Sequence, residues 1–251
     1  MSYNYHIKTA NSITFDHRGG NMLRLQRQND IMRLLEKSKE LTVKEICHAL
    51  YCSPATVRRD LTELEQQGLL KRSFGGAVLN EDFFDQLPLS IRGTTNISQK
   101  KRICAKAAEF IHSGETIFID ASSTTYFLVP YLKNISDLTV ITNNPHLNIA
   151  LAEFKITNYS TGGEMLNSSI ALTGSEAERF VRGIRADAFF FSARGVFNGQ
   201  ICDSSKGERD MKIAMLEQSK RHYFLCDTSK HQQQFSYFIT DLANIDKVIE
   251  E

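Results

Sequence analysis

The chain has 251 residues, 41% of them hydrophobic and 24% charged, with a formal net charge of +1. This composition supports packed domains rather than a disordered chain, and no apolar run nears the roughly eighteen residues that cross a bilayer. The small total hides an asymmetry: residues 24–80 carry ten Lys/Arg against seven Asp/Glu, and residues 81–251 carry eighteen against twenty-one. The basic excess sits at the front, as a nucleic-acid module requires.

Residues 1–22 are polar and lack a sustained hydrophobic period, which predicts a flexible extension. From Leu23 to about Glu36 the apolar residues Leu23, Ile31, Leu34 and Leu35 recur at helical spacing. Thr42, with Glu45 three residues on, forms a capping box for a second helix. After the turn Tyr51-Cys52-Ser53, Pro54 opens a third helix that runs to about Gln67 and stops at Gly68. Leu69–Arg72 and Ala77–Leu79 flank Ser73-Phe74-Gly75-Gly76, a hairpin with glycine in its turn. Residues 23–80 are therefore expected to form a winged helix-turn-helix, and residues 81–98, with Pro88 and Gly93, a linker.

From residue 99 to 251 helices and strands alternate. Strands are expected at 115–120, 138–142, 156–161, 188–192 and 222–227, with helices over 101–111, 147–153 and 206–220 and another starting at Ser123 or Thr124. That order predicts an α/β domain with a mostly parallel sheet, whose ligands bind beyond the carboxyl ends of the strands. Five scattered cysteines (Cys47, Cys52, Cys104, Cys202, Cys226) show no CxxC spacing. They predict reduced thiols in a cytoplasmic chain, with no metal or cofactor expected.

Two constellations carry chemistry. In the third helix Ser53, Thr56, Arg58 and Arg59 occupy the first turns, where a recognition helix meets the major groove, while Val57, Leu61 and Leu64 face the core. Lys71 and Arg72 on the hairpin suit backbone or minor-groove contacts. The bland alternative pairs Arg58 and Arg59 with Asp60 and Glu63 on the surface. The second constellation is Asp120-Ala121-Ser122-Ser123-Thr124-Thr125, after a strand and before a helix, where hydroxyls and free backbone N–H groups form an anion cradle or merely an N-cap. Asn143, Asn144, Gly162, Gly163, Asp227 and Lys230 are further candidates at strand ends. Glu208 and Lys212, one helical turn apart, either meet sugar hydroxyls or form an exposed ion pair.

The segments Ser53-Pro54-Ala55-Thr56-Val57-Arg58-Arg59-Asp60-Leu61, Leu64-Glu65, Gly68-Leu69 and Gly75-Gly76-Ala77 resemble DeoR-family transcriptional regulators, and the similarity runs from about Leu23 to the end. The resemblance implies a sensor domain like the ribose-phosphate isomerase fold that binds a phosphorylated sugar. Its phosphate loop falls on Asp120 to Thr125, its lysine before the first domain helix on Lys100 or Lys101, its KxAM helix on Lys212-Ile213-Ala214-Met215, and its Asp-x-Ser-Lys on Asp227-Thr228-Ser229-Lys230. Three positions depart from the family pattern: Phe74 stands where histidine is usual, Ser122 or Ser123 where glycine is common, and bulky Arg194 in a small-residue turn. The implied partners are double-stranded operator DNA, a phosphorylated sugar effector and a second copy of the chain. A competing reading keeps isomerase chemistry in the α/β domain, with Glu208 as base and Lys212 or Lys230 as electrophile.

Overall fold

The computed structural model describes residues 24–66, 69–79, 93 and 96–251. The expected extension over residues 1–22 and most of the expected linker over residues 81–98 lie outside the described residues. The first described segment holds helix α1 (Arg24–Ser38), strand β1 (Glu40–Thr42), helices α2 (Val43–Leu50) and α3 (Pro54–Gln66), and strands β2 (Leu70–Ser73) and β3 (Gly76–Leu79). The capping box closes as the spacing demands. Thr42 Oγ1 accepts from the Glu45 amide at 3.2 Å, and Glu45 Oε2 accepts from the Thr42 amide at 2.7 Å. Tyr51, in the left-handed region at φ 51°, ends α2, and Ser53 Oγ accepts from the Thr56 amide at 3.2 Å to start α3.

Strand β1 was not expected: three residues squeezed before an N-cap carry no alternation to read. It pairs antiparallel with β3, Leu41 opposite Ala77, so the wing is a three-stranded sheet ordered β1-β3-β2. A side chain at Gly76 would put a Cβ 2.3 Å from the Leu41 carbonyl oxygen, which explains one of the paired glycines. Ile31, Met32, Leu35, Ile46, Val57, Leu61, Leu64 and Leu70 form the core. Asp60 shares the buried face of α3 with them, three residues after Val57.

The second segment begins with α4 (Ile97–Ala108), which takes in the last two residues expected to be linker. It continues through β4 (Thr116–Ile119), a 3-10 turn (Thr125–Leu128), α5 (Val129–Leu132), β5 (Thr139–Thr142), α6 (Pro145–Glu153) and β6 (Thr157–Ser160). Then follow β7 (Glu164–Leu166), β8 (Ala171–Thr173), α7 (Ser175–Arg182), β9 (Ala188–Phe191), β10 (Gly195–Phe197) and β11 (Gln200–Asp203). Helix α8 (Lys206–Glu217), β12 (His222–Leu225), β13 (Tyr237–Asp241) and β14 (Lys247–Ile249) complete it. Six strands form a parallel sheet ordered β14-β12-β9-β4-β5-β6. Every strand expected from the sequence beyond residue 99 lies in it.

The central strands read as continuous apolar runs because both faces are covered. Ile117, Ile119, Phe190 and Leu225 pack on one side with residues of α4, α5 and α6. Phe118, Phe189, Phe191 and Phe224 point the other way, against α7 and α8. The β7–β8 hairpin, the antiparallel sheet β10-β11-β13, α7 and β14 were not expected. The β10–β11 hairpin has an overlooked signal: Asn198 and Gly199 take φ 48° and 78°, the two positive values of a tight hairpin turn. Among the described residues, no helix is long and apolar enough to cross a membrane.

Asp60 supplies the sharpest test of the small domain. It is fully buried, and Arg27 of α1 donates to it through Nη2 at 3.0 Å and through Nε. Asp60→Ala removes the buried carboxylate that Arg27 pairs with and is expected to destabilise the domain by about 3 kcal/mol. Replacing both partners by apolar residues of similar volume should recover most of that loss. Urea titrations of the single and double variants, followed by circular dichroism, measure both values; an unchanged midpoint for Asp60→Ala would remove the pair from the stabilising interactions.

Candidate functional site

A polar cleft opens at the carboxyl ends of the parallel strands, lined by Ser122, Ser123, Thr124, Ser192, Ala193, Arg194, Asp203, Glu208, Lys212 and Lys230. Its floor is a line of buried charges. Lys212 of α8 donates to Asp203 Oδ2 at 2.9 Å and lies 3.5 Å from Asp120 Oδ2. Asp120, just past β4, also accepts from the Ser122 amide at 3.3 Å, Thr125 Oγ1 at 3.0 Å and the Ser192 amide at 3.4 Å. Burial pushes the Asp120 carboxyl above its ordinary value, against the pull of Lys212 and the Ser122 and Thr125 hydroxyls. For Asp203 burial acts in the same direction, but Lys212 outweighs it and holds the carboxyl below its usual range. Burial opposes the charge on Lys212 as well; Asp203, Asp120 and Glu208 overcome it and raise the ammonium above its ordinary value.

One wall is the segment after β4. Ser122 Oγ and Thr125 Oγ1 lie 2.8 Å apart, and Ser122 Oγ accepts from the Thr125 amide at 3.2 Å. Buried Lys100 of α4 donates to Ser123 Oγ at 3.1 Å. The helix expected to start at Ser123 or Thr124 is a four-residue 3-10 turn followed by the short α5. A helix macrodipole is therefore a minor part of this wall; the hydroxyls, the backbone and Lys100 are the major part. Opposite, the Ser205 hydroxyl caps α8 by accepting from the Glu208 amide at 3.3 Å, which turns buried Glu208 and Lys212 toward the cleft. Lys230 arrives on the turn after β12, where Asp227 Oδ1 accepts from the Ser229 amide at 3.0 Å. Burial raises the Asp227 carboxyl, and Lys230, Ser229 and Lys100 more than offset it, so its net shift is downward.

Of the residues expected at an effector site, Ser122, Ser123, Thr124, Glu208, Lys212 and Lys230 line this cleft, and Lys100, Asp120 and Thr125 bond to its walls. Lys212 pairs with Asp203 and Asp120 in the interior, so the exposed Glu208–Lys212 pair considered from sequence is replaced by a buried network. Asn143 and Gly163 are not brought to the lining. Asn143 holds β8 instead: its Nδ2 donates to the Leu172 carbonyl at 3.1 Å, and the Leu172 amide donates to the Asn143 backbone carbonyl at 2.8 Å. Gly163, at φ 101°, packs so closely that a Cβ would lie 2.5 Å from the Thr173 carbonyl oxygen. Asp203 and Ser192 were missed. Asp203 ends the overlooked hairpin, and Ser192 ends a run that reads only as buried strand; its hydroxyl is buried in the lining without a partner among the described residues.

In the N-terminal segment α3 presents Ser53, Arg58 and Arg59 to solvent with Thr56 half-buried beside them. The surface pairing of Arg58 and Arg59 with Asp60 and Glu63 does not form. Asp60 takes Arg27, and Glu63 takes Arg24 at 2.6 Å and Gln28 at 2.6 Å. On the wing Lys71 and Arg72 are exposed. Arg72 braces the wing to α3, its Nη1 donating to Thr62 Oγ1 at 3.1 Å and its amide to Glu65 Oε1 at 2.9 Å. Phe74 stands fully exposed at the wing tip. The result is a basic surface formed by one helix and one hairpin, the shape that enters a major groove with a flanking strand contact.

Comparison with known proteins places both halves. Residues 27–83 match the DeoR-like helix-turn-helix domain and residues 95–251 the DeoR C terminal sensor domain. The uncharacterized HTH-type transcriptional regulator YulB of Bacillus subtilis (strain 168) is 34% identical over 232 residues, covering 91% of this chain and 89% of that protein. The lactose phosphotransferase system repressor of Staphylococcus aureus (strain N315) is 33% identical over 211 residues, 82% of this chain and 83% of that one. Among solved structures, ribose 5-phosphate isomerase from Plasmodium falciparum matches with a TM-score of 0.40 at 14% identity, over 53% of this chain and 52% of that chain. With a helix-turn-helix at the front and the sensor domain behind, the chain belongs to the DeoR family of transcriptional regulators.

Proposed function

We propose that this chain is an operator-binding repressor of a sugar-utilisation operon, released or engaged by a phosphorylated sugar held in the cleft. The observation that carries the reading is convergence: residues 122–124, Glu208 with Lys212, and Lys230 are far apart in sequence yet line one cleft. Hydroxyls and Lys100 on one wall and Lys230 on another suit a phosphate, while Glu208 suits sugar hydroxyls. Lys212 is already countered by two carboxylates, so its work is to hold the walls. The same tie bears on the isomerase reading: Lys212, one of its two candidate electrophiles, is engaged by Asp203 and Asp120, whereas its candidate base Glu208 lines the cleft, so the ketose assay below decides that reading. The lactose repressor relative supports the sugar-operon assignment. Two copies would place two recognition helices on a two-fold operator, with the domain limits near residues 23–80 and 99–251.

Gel-shift titration of the full chain against its own promoter, with and without a panel of sugar phosphates, tests the whole reading. At least one sugar phosphate should change operator affinity, and no ketose should appear from ribose 5-phosphate. A chain that ignores promoter DNA at low salt contradicts the proposal.

Arg58→Ala and Arg59→Ala should each weaken operator binding by about 5- to 150-fold, corresponding to about 1–3 kcal/mol. For whichever arginine contacts phosphate alone, the loss should be equal on specific and random DNA, with a salt slope shallower by about one. Fluorescence anisotropy at several salt concentrations separates the two cases.

Lys230→Ala and Ser123→Ala should lower sugar-phosphate affinity at least about 10-fold, the loss of one charge-assisted contact, and leave operator affinity unchanged. Calorimetry with the responsive sugar phosphate, beside the same gel shift, measures both. Full-strength ligand binding by both variants would move the phosphate away from this wall.

A further inference from the structure

Behind the cleft, three ligating side chains from separate positions meet: Cys226, just past β12, His231, after the turn that carries Lys230, and Glu250, just past β14. His231 Nε2 lies 3.8 Å from Cys226 Sγ and 3.1 Å from Glu250 Oε1, and all three donor atoms lie within 4.8 Å of one another. We infer that Cys226, His231 and Glu250 form a binding site for a divalent zinc-like ion, which ties down the turn carrying Lys230.

Two of the three donor spacings have the dimensions of a tetrahedral site. With a zinc–sulfur distance of about 2.3 Å and zinc–nitrogen and zinc–oxygen distances of about 2.0 Å, sulfur and nitrogen stand about 3.5 Å apart and nitrogen and oxygen about 3.3 Å. Both agree with the observed spacings to within a few tenths of an ångström. One imidazole nitrogen faces both the thiol sulfur and the carboxylate. It carries at most one hydrogen, so it cannot donate to both, whereas a cation at the centroid engages all three. Sulfur, nitrogen and oxygen together select a borderline ion of the zinc class over calcium or magnesium, which take oxygen alone. Water fills the fourth position.

The backbone holds the three donors before any ion arrives. The Cys226 amide donates to the Ile249 carbonyl at 3.0 Å, which fixes β12 against β14. Lys106 Nζ donates to the Glu250 carbonyl at 3.0 Å, and His231 bridges to Val196 of β10. Sequence spacing alone hides the site, since eighteen residues separate His231 from Glu250 and no second cysteine is involved. Cys226 and His231 bracket residues 227–230 on both sides, so ligation closes a short loop whose last residue, Lys230, lines the cleft.

The untagged full chain, stripped with a chelator and desalted, is titrated with Zn²⁺ against a chromophoric competitor and with Co²⁺ in the spectrophotometer. The expected result is one tight equivalent per chain, with a thiolate-to-cobalt charge-transfer band and the intense d–d bands of tetrahedral cobalt. His231→Ala, at a half-exposed position that the fold tolerates, should weaken zinc at least about 10-fold. Cys226→Ser should abolish the charge-transfer band, with thermal melts showing that it folds. Less than one equivalent, an octahedral cobalt spectrum without the thiolate band, or unweakened zinc binding by His231→Ala overturns the inference. None of these readouts depends on a sugar phosphate, so they stand or fall apart from the proposed function.

Discussion

Lys212, clasped between Asp203 and Asp120, organises the larger half of this molecule. Ionisable groups out of water are expensive, and the arrangement persists only because each is paired and hydrogen-bonded further. The Asp203 carboxylate takes the Ser204 amide, and Asp120 takes the Ser122 amide, the Thr125 hydroxyl and the Ser192 amide. The three groups come from the end of β4, the end of β11 and the middle of α8, elements separated in sequence but not in space. Their contacts tie α8 to the ends of β4 and β11, where the cleft opens.

The small domain uses the same device. Asp60 belongs to a run of three charged residues, Arg58-Arg59-Asp60, yet helical phase sends them to different places. Asp60 follows Val57 by three and precedes Leu64 by four, so it lies on the buried stripe and meets Arg27 of α1. Arg58 and Arg59 fall off that stripe into solvent. The buried acid thus anchors the helix while the neighbouring guanidiniums are displayed, and no surface acid of α3 is left to neutralise them. Glu63 is occupied by Arg24 and Gln28, and Glu65 by the Arg72 amide.

How much of this was legible in the sequence depended on whether the determining forces were local. The Thr42–Glu45 box, Pro54 at the head of α3 and Gly75 in the wing are decided within a few residues, and they appear where their chemistry requires. The apolar strands β4, β5, β9 and β12 were equally readable. Asp203, by contrast, lies in a short hairpin whose burial comes from α8 and β13, and nothing adjacent distinguishes it from a turn residue. Asn143 and Gly163 also stand at strand ends, where cleft residues gather, but β8 packs against them and they are not in the lining. The helix expected to start at Ser123 or Thr124 is a 3-10 turn leading into the short α5, with the Ser122 hydroxyl accepting from the Thr125 amide and the Thr125 hydroxyl donating to Asp120.

Charge accounting in the cleft bears on what kind of molecule it prefers. Its lining carries Arg194, Lys212 and Lys230 against Asp203 and Glu208, with Lys100 and Asp120 just behind. Cations exceed anions by one on either count, too few for a pocket that attracts phosphate by field alone. On the proposed reading the phosphate is therefore held by directed donors, the hydroxyl wall and its lysines, and the carboxylates must be satisfied by something that donates. A sugar offers several such hydroxyls at once, whereas inorganic phosphate offers one or two P–OH groups on the anion itself. Buried Glu208 would repel a bare anion and welcome a hydroxylated one, so discrimination comes from the acid that opposes the charge as much as from the bases that attract it.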